Sequence, residues 1–132
     1  MSKPKPLRTS EKDVQIGCTA FLELDGWRAI RTDPVSDRKR GKGFGELGMP
    51  DYLYVRYLPP LSGYKDPPDV ATLHQLLWIE FKAPGKKPLK HQLEWHARES
   101  NRGALVLVVD GFEGFRAWYV NESGLNRSML LR

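Results

Sequence analysis

Three side chains that could carry out phosphodiester chemistry stand in two apolar segments of the sequence: Asp51, Glu80 and Lys82. Residues i and i+2 of a β-strand point to the same face, so Glu80 and Lys82 project together while Phe81 turns into a core. A second strand that brings Asp51 alongside would place two carboxylates and one ammonium around a single point. Two carboxylates suit a hard divalent cation that keeps several waters, such as Mg²⁺. Since an adjacent lysine could position or deprotonate the attacking water, the spacing predicts a metal-dependent phosphodiesterase.

The net charge of the chain favours a nucleic-acid partner. Lys and Arg number 21 against 16 Asp and Glu, which gives a formal net charge of +5 and a pI near 9.4. Such a balance favours nucleic acid over acidic small molecules or a neutral partner. It does not distinguish DNA from RNA, and a basic protein without a polyanionic partner would have the same charge.

Length and cysteine content limit the class of protein. The 132 residues are most simply one domain with its own core. Cys18 is the single cysteine, so an intrachain disulfide and a cysteine-based zinc site are excluded, and its apolar helical stripe predicts a buried thiol. No apolar run approaches the ~20 residues that span a bilayer, and no apolar segment follows the basic N-terminus as in a signal peptide. We therefore expect no membrane association and a reducing cytoplasm.

The first part of the chain divides into an arm and a helix. Residues 1–9 predict a flexible basic arm, and residues 10–132 predict a single domain. Ser10 is suited to an N-cap, and acidic side chains follow in the first turn. Apolar residues at helical spacing continue to Asp25 and Gly26, where glycine ends the helix.

Strands are predicted where aromatic and β-branched residues dominate, at 27–32, 50–57, 76–82, 105–109 and 116–120. The segment 105–109 is apolar on both faces, which is typical of an interior strand, and 116–120 is predicted as a last or edge strand. A long proline-rich connection covers 58–75, and a second helix runs from Pro88 to about Ser100. This order predicts an α/β fold with a mixed central sheet flanked by helices, in which the first three strands form a meander and the second helix a crossover.

Four segments in this order resemble the VRR-NUC family of the PD-(D/E)xK nuclease superfamily. They are Ser10 to Gln15, Gly48-Met49-Pro50-Asp51, Ile79-Glu80-Phe81-Lys82 and Gln92-Leu93-Glu94-Trp95. The resemblance covers most of the chain, from about residue 10 to 109, and implies a restriction-endonuclease-like fold. It also implies hydrolysis of DNA phosphodiester bonds with Mg²⁺ or Mn²⁺ in a bacterial or phage-infected cell. Standalone members are similar to Holliday-junction resolvases and act as homodimers, which implies a structure-selective endonuclease.

The resemblance implies a role for each residue of the predicted centre. Asp51 and Glu80 would be side-chain metal ligands, and the Phe81 carbonyl would supply a third protein oxygen. Lys82 would activate the attacking water or stabilise the developing negative charge.

Two helix residues complete the implied set. Glu11 matches the first-helix carboxylate of the family, which helps to bind a metal or its waters, and Gln92 matches a helix glutamine near the catalytic centre. Glu11 has a second interpretation as a favourable negative charge at a helix N-terminus. Gln92 has one as an ordinary exposed helix residue.

Two groups of cations are candidate contacts to phosphates, and each could equally be a solvated charge run. They are Arg38, Lys39, Arg40 and Lys42 in the loop 33–48, and Lys86 and Lys87 before the second helix. Two rival hypotheses stand beside the nuclease. One is a non-catalytic nucleic-acid-binding module with a nuclease-like fold, and the other is a resolvase-like protein that acts mainly as a partner subunit.

Overall fold

The computed structural model describes residues 9–32, 45–57 and 74–127. Most of the predicted basic arm 1–9, the cationic cluster 38–42 and nearly all of the connection 58–75 lie outside the described residues. The described residues form, in chain order, α1 (Glu11–Leu24), β1 (Arg28–Arg31), β2 (Tyr52–Tyr57), β3 (His74–Phe81), α2 (Lys90–Asn101), β4 (Val106–Val109) and α3 (Phe112–Asn121). None of these helices is long and apolar enough to cross a membrane.

The strands form a mixed sheet in the order β1-β2-β3-β4. β1, β2 and β3 are successive antiparallel neighbours, whereas β4 pairs parallel with β3. A parallel neighbour requires a crossover connection, and α2 supplies it between β3 and β4. The predicted fold class, the meander and the crossover helix are therefore confirmed.

Helices cover both faces of the sheet. Leu77, Ile79 and Phe81 of β3 are fully buried in the main hydrophobic core, which is completed by residues of α1 and α3. The intervening residues of β3 point to the opposite face. There the Trp78 ring lies edge-on to the Trp95 ring of α2, with 4.9 Å between the ring centroids. The alternation of β3 thus separates an apolar core from a second face that α2 covers.

α1 begins at the predicted N-cap and buries the apolar residues that recur at helical spacing. The Ser10 hydroxyl accepts a hydrogen bond from the Asp13 backbone N–H at 3.1 Å, and the Asp13 carboxylate accepts one from the Ser10 N–H at 3.1 Å. This capping box satisfies two N–H groups that the helix leaves unpaired. Cys18 is buried in the apolar stripe, and burial raises the pKa of its thiol to about 12, so a structural thiol is confirmed. Gly17 lies against the Phe112 ring of α3.

Two predictions for the C-terminal third are wrong. Residues 116–120 belong to α3 instead of a strand, because Phe112, Phe115 and Tyr119 recur at helical spacing and pack against α1. The strand at 105–109 is not interior, since β4 is the outer strand of the described sheet and Val108 is 45% exposed. The side of β4 that faces the core is apolar, and its Val109 lies in the same hydrophobic core as Phe115 and Tyr119 of α3.

Candidate active site

The antiparallel register of β2 and β3 brings the predicted residues together. Tyr52 pairs with Ile79, and one step further along the same register Asp51 stands across from Glu80. Residues directly opposite one another in an antiparallel pair project from the same face. Lys82 follows Glu80 by two positions and shares that face. Asp51, Glu80 and Lys82 therefore lie on the α2 side of the sheet, at one end of the β2–β3 pair.

Backbone contacts fix the segment that carries Asp51. The Thr32 backbone N–H donates to the Asp51 carbonyl at 3.0 Å, and the Thr32 hydroxyl donates to the Pro50 carbonyl. Gly48 has a φ of 85°, and a Cβ at this position would lie 2.2 Å from the His91 carbonyl oxygen at the start of α2. Only glycine permits both the left-handed backbone and this close approach. The motif glycine thus locks the Asp51 segment against α2.

Glu80 is a buried carboxylate that lacks a full set of partners. Glu80 is 2% exposed, and its Oε1 atom is buried without a hydrogen-bond partner among the residues that the structure describes. His96 Nε2 lies 3.4 Å from this atom. Burying a charge is unfavourable unless it is paired or coordinates a metal. The surroundings of Glu80 therefore fit a bound cation.

The backbone of β3 directs the Phe81 carbonyl toward Asp51. The Trp78 and Lys82 N–H groups donate to the Leu105 and Val109 carbonyls of the β4 side, at 3.0 and 2.9 Å. Because successive residues of a strand alternate, the peptide groups of Phe81 point the other way, toward β2. The Phe81 side chain remains in the core. The geometry thus suits the predicted use of its carbonyl as a ligand.

Glu11 joins the same electrostatic cluster from the start of α1. The pKa of Glu11 is raised, first because burial disfavours its charged form and further because Asp51 and Glu80 are negatively charged, whereas the Lys82 ammonium lowers it. The charges of Asp51, Glu80 and Lys82 thus act on the Glu11 carboxylate. Carboxylates collected in this way repel one another, and a cation relieves that repulsion.

The acidic side chains do not form a closed protein cage. Among residues 9–32, 45–57 and 74–127, no group of three or more His, Cys, Asp or Glu side chains is arranged to hold a metal ion. A pair of carboxylates with one carbonyl fits Mg²⁺, which is usually held by one or two carboxylates and keeps several waters. Glu11 would then act through those waters.

Gln92 and Trp95 of α2 have different surroundings: Gln92 lies at the start of the helix, and Trp95 packs against the sheet. The Gln92 Oε1 atom accepts a hydrogen bond from the Leu89 N–H at 2.8 Å, at the start of the helix. Trp95 is 2% exposed, packs on Trp78 and donates from Nε1 to Glu46 Oε2 at 2.9 Å. Trp95 therefore packs in the interior. His96 is one turn from Gln92 on the same helix face and contacts Glu80, a role that sequence reasoning missed although the i, i+4 spacing was visible.

Room for a substrate lies next to the carboxylates. An open groove of about 780 Å³ runs along α1 and is lined by Glu11, Asp51, Tyr52 and Arg31 among others. Lys86 and Lys87 are exposed in the segment 82–89, between Lys82 and α2. Arg38, Lys39, Arg40 and Lys42 lie outside the described residues.

Comparison with known proteins finds a similarity in structure. No family model matches the sequence, and no curated protein matches it. A solved structure described as a "VRR_NUC domain" is similar with a TM-score of 0.56 and 23% sequence identity, and the alignment covers 87% of this chain and 99% of that domain. This similarity shows that most of the chain shares the fold of that domain.

Proposed function

We propose that this chain is a VRR-NUC family member and a metal-dependent endonuclease that hydrolyses DNA phosphodiester bonds. The observation that carries the proposal is the register that sets Asp51 across from Glu80, a carboxylate that is only 2% exposed. The fold similarity to a VRR_NUC domain and the net charge of +5 support it.

The carboxylates form the proposed metal site. Asp51, Glu80 and the Phe81 carbonyl would hold Mg²⁺ or Mn²⁺, with Glu11 in contact through waters. When bound, the cation supplies Lewis-acid neutralisation of the charge that develops on the phosphoryl oxygens. The burial of Glu80 strengthens this electrostatic effect because charges interact more strongly away from bulk water.

Lys82 is the proposed group that acts on the attacking water. Its side chain would activate the attacking water, or would stabilise the negative charge that develops on the phosphoryl group. The water oxygen forms a bond to phosphorus while the bond to the 3′ oxygen breaks, and the 3′ oxygen takes a proton from solvent water. The products are a 5′-phosphate and a 3′-hydroxyl. Gln92 stands one helical turn before His96 on α2 and would orient the substrate.

The proposed substrate is branched or structured DNA, with a four-way junction as one candidate, in the cytoplasm of a bacterial or phage-infected cell. Cutting opposed strands requires two active sites, so the proposal includes a homodimer. The proposed phosphate contacts are Lys86 and Lys87, with Arg38, Lys39, Arg40 and Lys42 as further candidates.

Cleavage assays test the proposal directly. Labelled four-way junction, flap and linear duplex DNA are incubated with Mg²⁺, Mn²⁺ or EDTA and with the wild type, Lys82→Ala or Arg116→Ala. Arg116 is an exposed cation of α3 and serves as the control for loss of one positive charge. We expect metal-dependent cutting that Lys82→Ala abolishes and Arg116→Ala retains, with DNA binding largely intact in both variants.

Other outcomes would identify the rival hypotheses. Tight DNA binding without cutting under any metal would favour the non-catalytic binding module, and full activity in Glu80→Ala would contradict the metal site. Light scattering measures the assembly. A monomeric mass with and without DNA would contradict the homodimer, and an assembly formed only with a second protein would favour the partner subunit.

A further inference from the structure

His96 is a buried polar side chain that the proposed reaction leaves unused. It is 8% exposed, and its Nε2 atom has no hydrogen-bond partner among the described residues. The same is true of Glu80 Oε1, and these two atoms face each other at 3.4 Å. Buried polar atoms usually have partners, so two such atoms next to each other call for an explanation.

The position of the His96 ring is set by the packing of α2. Trp95, the preceding residue, is anchored between Trp78 of β3 and the Glu46 carboxylate. Gly48 brings the Asp51 segment against the first turn of the same helix. One helix therefore contacts both β3 and the segment that leads to Asp51. A side chain in this place can orient Glu80 without reaching the cation.

The separation of the two atoms is short enough to become a hydrogen bond. A charge-assisted N–H···O bond measures about 2.7–2.9 Å, a few tenths of an ångström less than the 3.4 Å recorded here. A neutral imidazole with its proton on Nε2 is a sufficient donor. The carboxylate has two oxygens, so a bond to Oε1 leaves Oε2 available to a cation.

We propose that His96 is a positioning residue, whose Nε2–H binds Glu80 Oε1 and turns the other carboxylate oxygen toward the metal. The inference rests on the proposed function and deepens it, because it assigns the group that orients a metal ligand. Outer partners of metal ligands typically change metal affinity by 10–100-fold when they are removed.

Calorimetric titration with Mn²⁺ in the absence of DNA tests the donor. His96→Phe keeps a ring and removes the donor, whereas His96→Gln places an amide N–H near the position of Nε2. We expect His96→Phe to weaken Mn²⁺ binding by roughly 10–100-fold and His96→Gln to restore most of the affinity. His74→Phe is the matched control, since His74 is exposed at the far end of β3 and packs edge-on to Tyr57. Thermal unfolding in EDTA verifies that each variant is folded.

Several results would overturn the inference. Wild-type affinity in a folded His96→Phe variant, or equal losses in His96→Phe and His96→Gln, would leave no role for the donor. If the wild type bound no Mn²⁺, the proposed function and this inference would both be wrong. If the wild type bound Mn²⁺ and His96→Phe bound it equally well, only this inference would be wrong. The ¹⁵N spectrum of the wild-type imidazole gives a test that needs no variant. A proton on Nε2 is expected, and a proton on Nδ1 alone would overturn the inference.

Discussion

The two ends of the β2–β3 pair bury charges of opposite sign, and they differ in how fully those charges are hydrogen-bonded. At one end Arg56 is 2% exposed, and its guanidinium donates to Asp25 Oδ2 at 2.9 Å, Gln75 Oε1 at 2.8 Å and the Leu125 carbonyl at 2.7 Å. At the other end Glu80 is equally buried, yet its Oε1 atom has no hydrogen-bond partner among the described residues. A buried charge is tolerated at both ends, but the described residues supply a full set of hydrogen bonds at only one of them.

The Arg56 end is a completed network. Asp25 also accepts hydrogen bonds from the Tyr119 hydroxyl and from the Arg127 N–H, the latter at 2.9 Å. The Arg56 guanidinium lies 4.5 Å from the centroid of the Trp27 ring, a distance typical of a cation–π contact. Such a satisfied network rigidifies a fold. Arg56 holds the C-terminal segment to the sheet through the Leu125 carbonyl, whereas the Glu80 carboxylate would have the proposed cation as its counter-charge.

Glu80→Gln should give the largest effect and separate activity from stability. The amide keeps the volume but removes the charge that would hold the metal, and bound metals contribute several kcal/mol of transition-state stabilisation. We expect cleavage to fall by at least ~10³-fold, or about 4 kcal/mol. The free energy of unfolding in EDTA should be unchanged or higher, since a poorly paired buried charge is lost. Gel-based cleavage rates and urea denaturation measure the two quantities, and a large loss of stability would break the contrast with Arg56.

Arg56→Met should have the reverse effect. The variant leaves the Asp25 carboxylate buried without its cation, and breaking a buried ion pair in this way costs about 3–5 kcal/mol. Urea denaturation measures the loss, with Arg28→Met on the exposed side of β1 as the control. If the free energy of unfolding fell by less than about 1 kcal/mol, the Arg56 network would contribute no more to stability than the Glu80 end does.

Tyr119→Phe should show how much of that network depends on one hydroxyl. The Tyr119 oxygen accepts from Trp27 Nε1 at 2.8 Å and donates to Asp25, and burial raises the pKa of Tyr119 to about 12. Removing it leaves buried partners unsatisfied, at about 1–3 kcal/mol. Urea denaturation and cleavage rates should show a less stable protein with wild-type activity below its unfolding transition. Reduced cleavage by folded protein would indicate that the two ends are coupled.

The sequence predicted the carboxylate end better than the arginine end, for a physical reason. Glu80 lies in β3, Asp51 directly precedes β2 and Lys82 directly follows β3. Alternation and pairing along these strands fix the face of each side chain. The network of Arg56 depends on side chains from the end of α1, from β2 and from α3, and no spacing along the chain links them.

The errors at the C-terminal third have a similar origin. Residues 116–120 alone contain aromatic and β-branched residues that suit a strand, and the helical period appears only when Phe112 and Phe115 are included. The outer position of β4 depends on which strand lies beside it, which periodicity does not show. His96 could have been noticed from its spacing to Gln92, but its contact with Glu80 required the packing of α2.

Glu11→Gln should give the smallest effect, and one that depends on pH. The pKa of Glu11 is raised by burial and by the charges of Asp51 and Glu80, so the folded protein binds this proton more tightly than the unfolded chain does. Between the unfolded pKa, about 4.3 for glutamate, and the higher folded pKa, wild-type stability therefore falls relative to a variant that does not titrate. Thermal unfolding in EDTA should favour the wild type more at pH 4 than at pH 7.

Addition of Mn²⁺ at pH 7 sharpens this test. A cation held by Asp51 and Glu80 would reverse the sign of the local field, so the Glu11 carboxylate would become favourable and the wild type would regain stability relative to Glu11→Gln. Asp13→Asn is a useful control, because it changes an acidic residue of the same helical turn whose partner is Ser10 instead of the carboxylate cluster. If Mn²⁺ changed the stability of Glu11→Gln and Asp13→Asn by the same amount relative to the wild type, the cation would have no specific effect on the Glu11 carboxylate. Glu11 would then be an ordinary negative charge in the first turn of the helix.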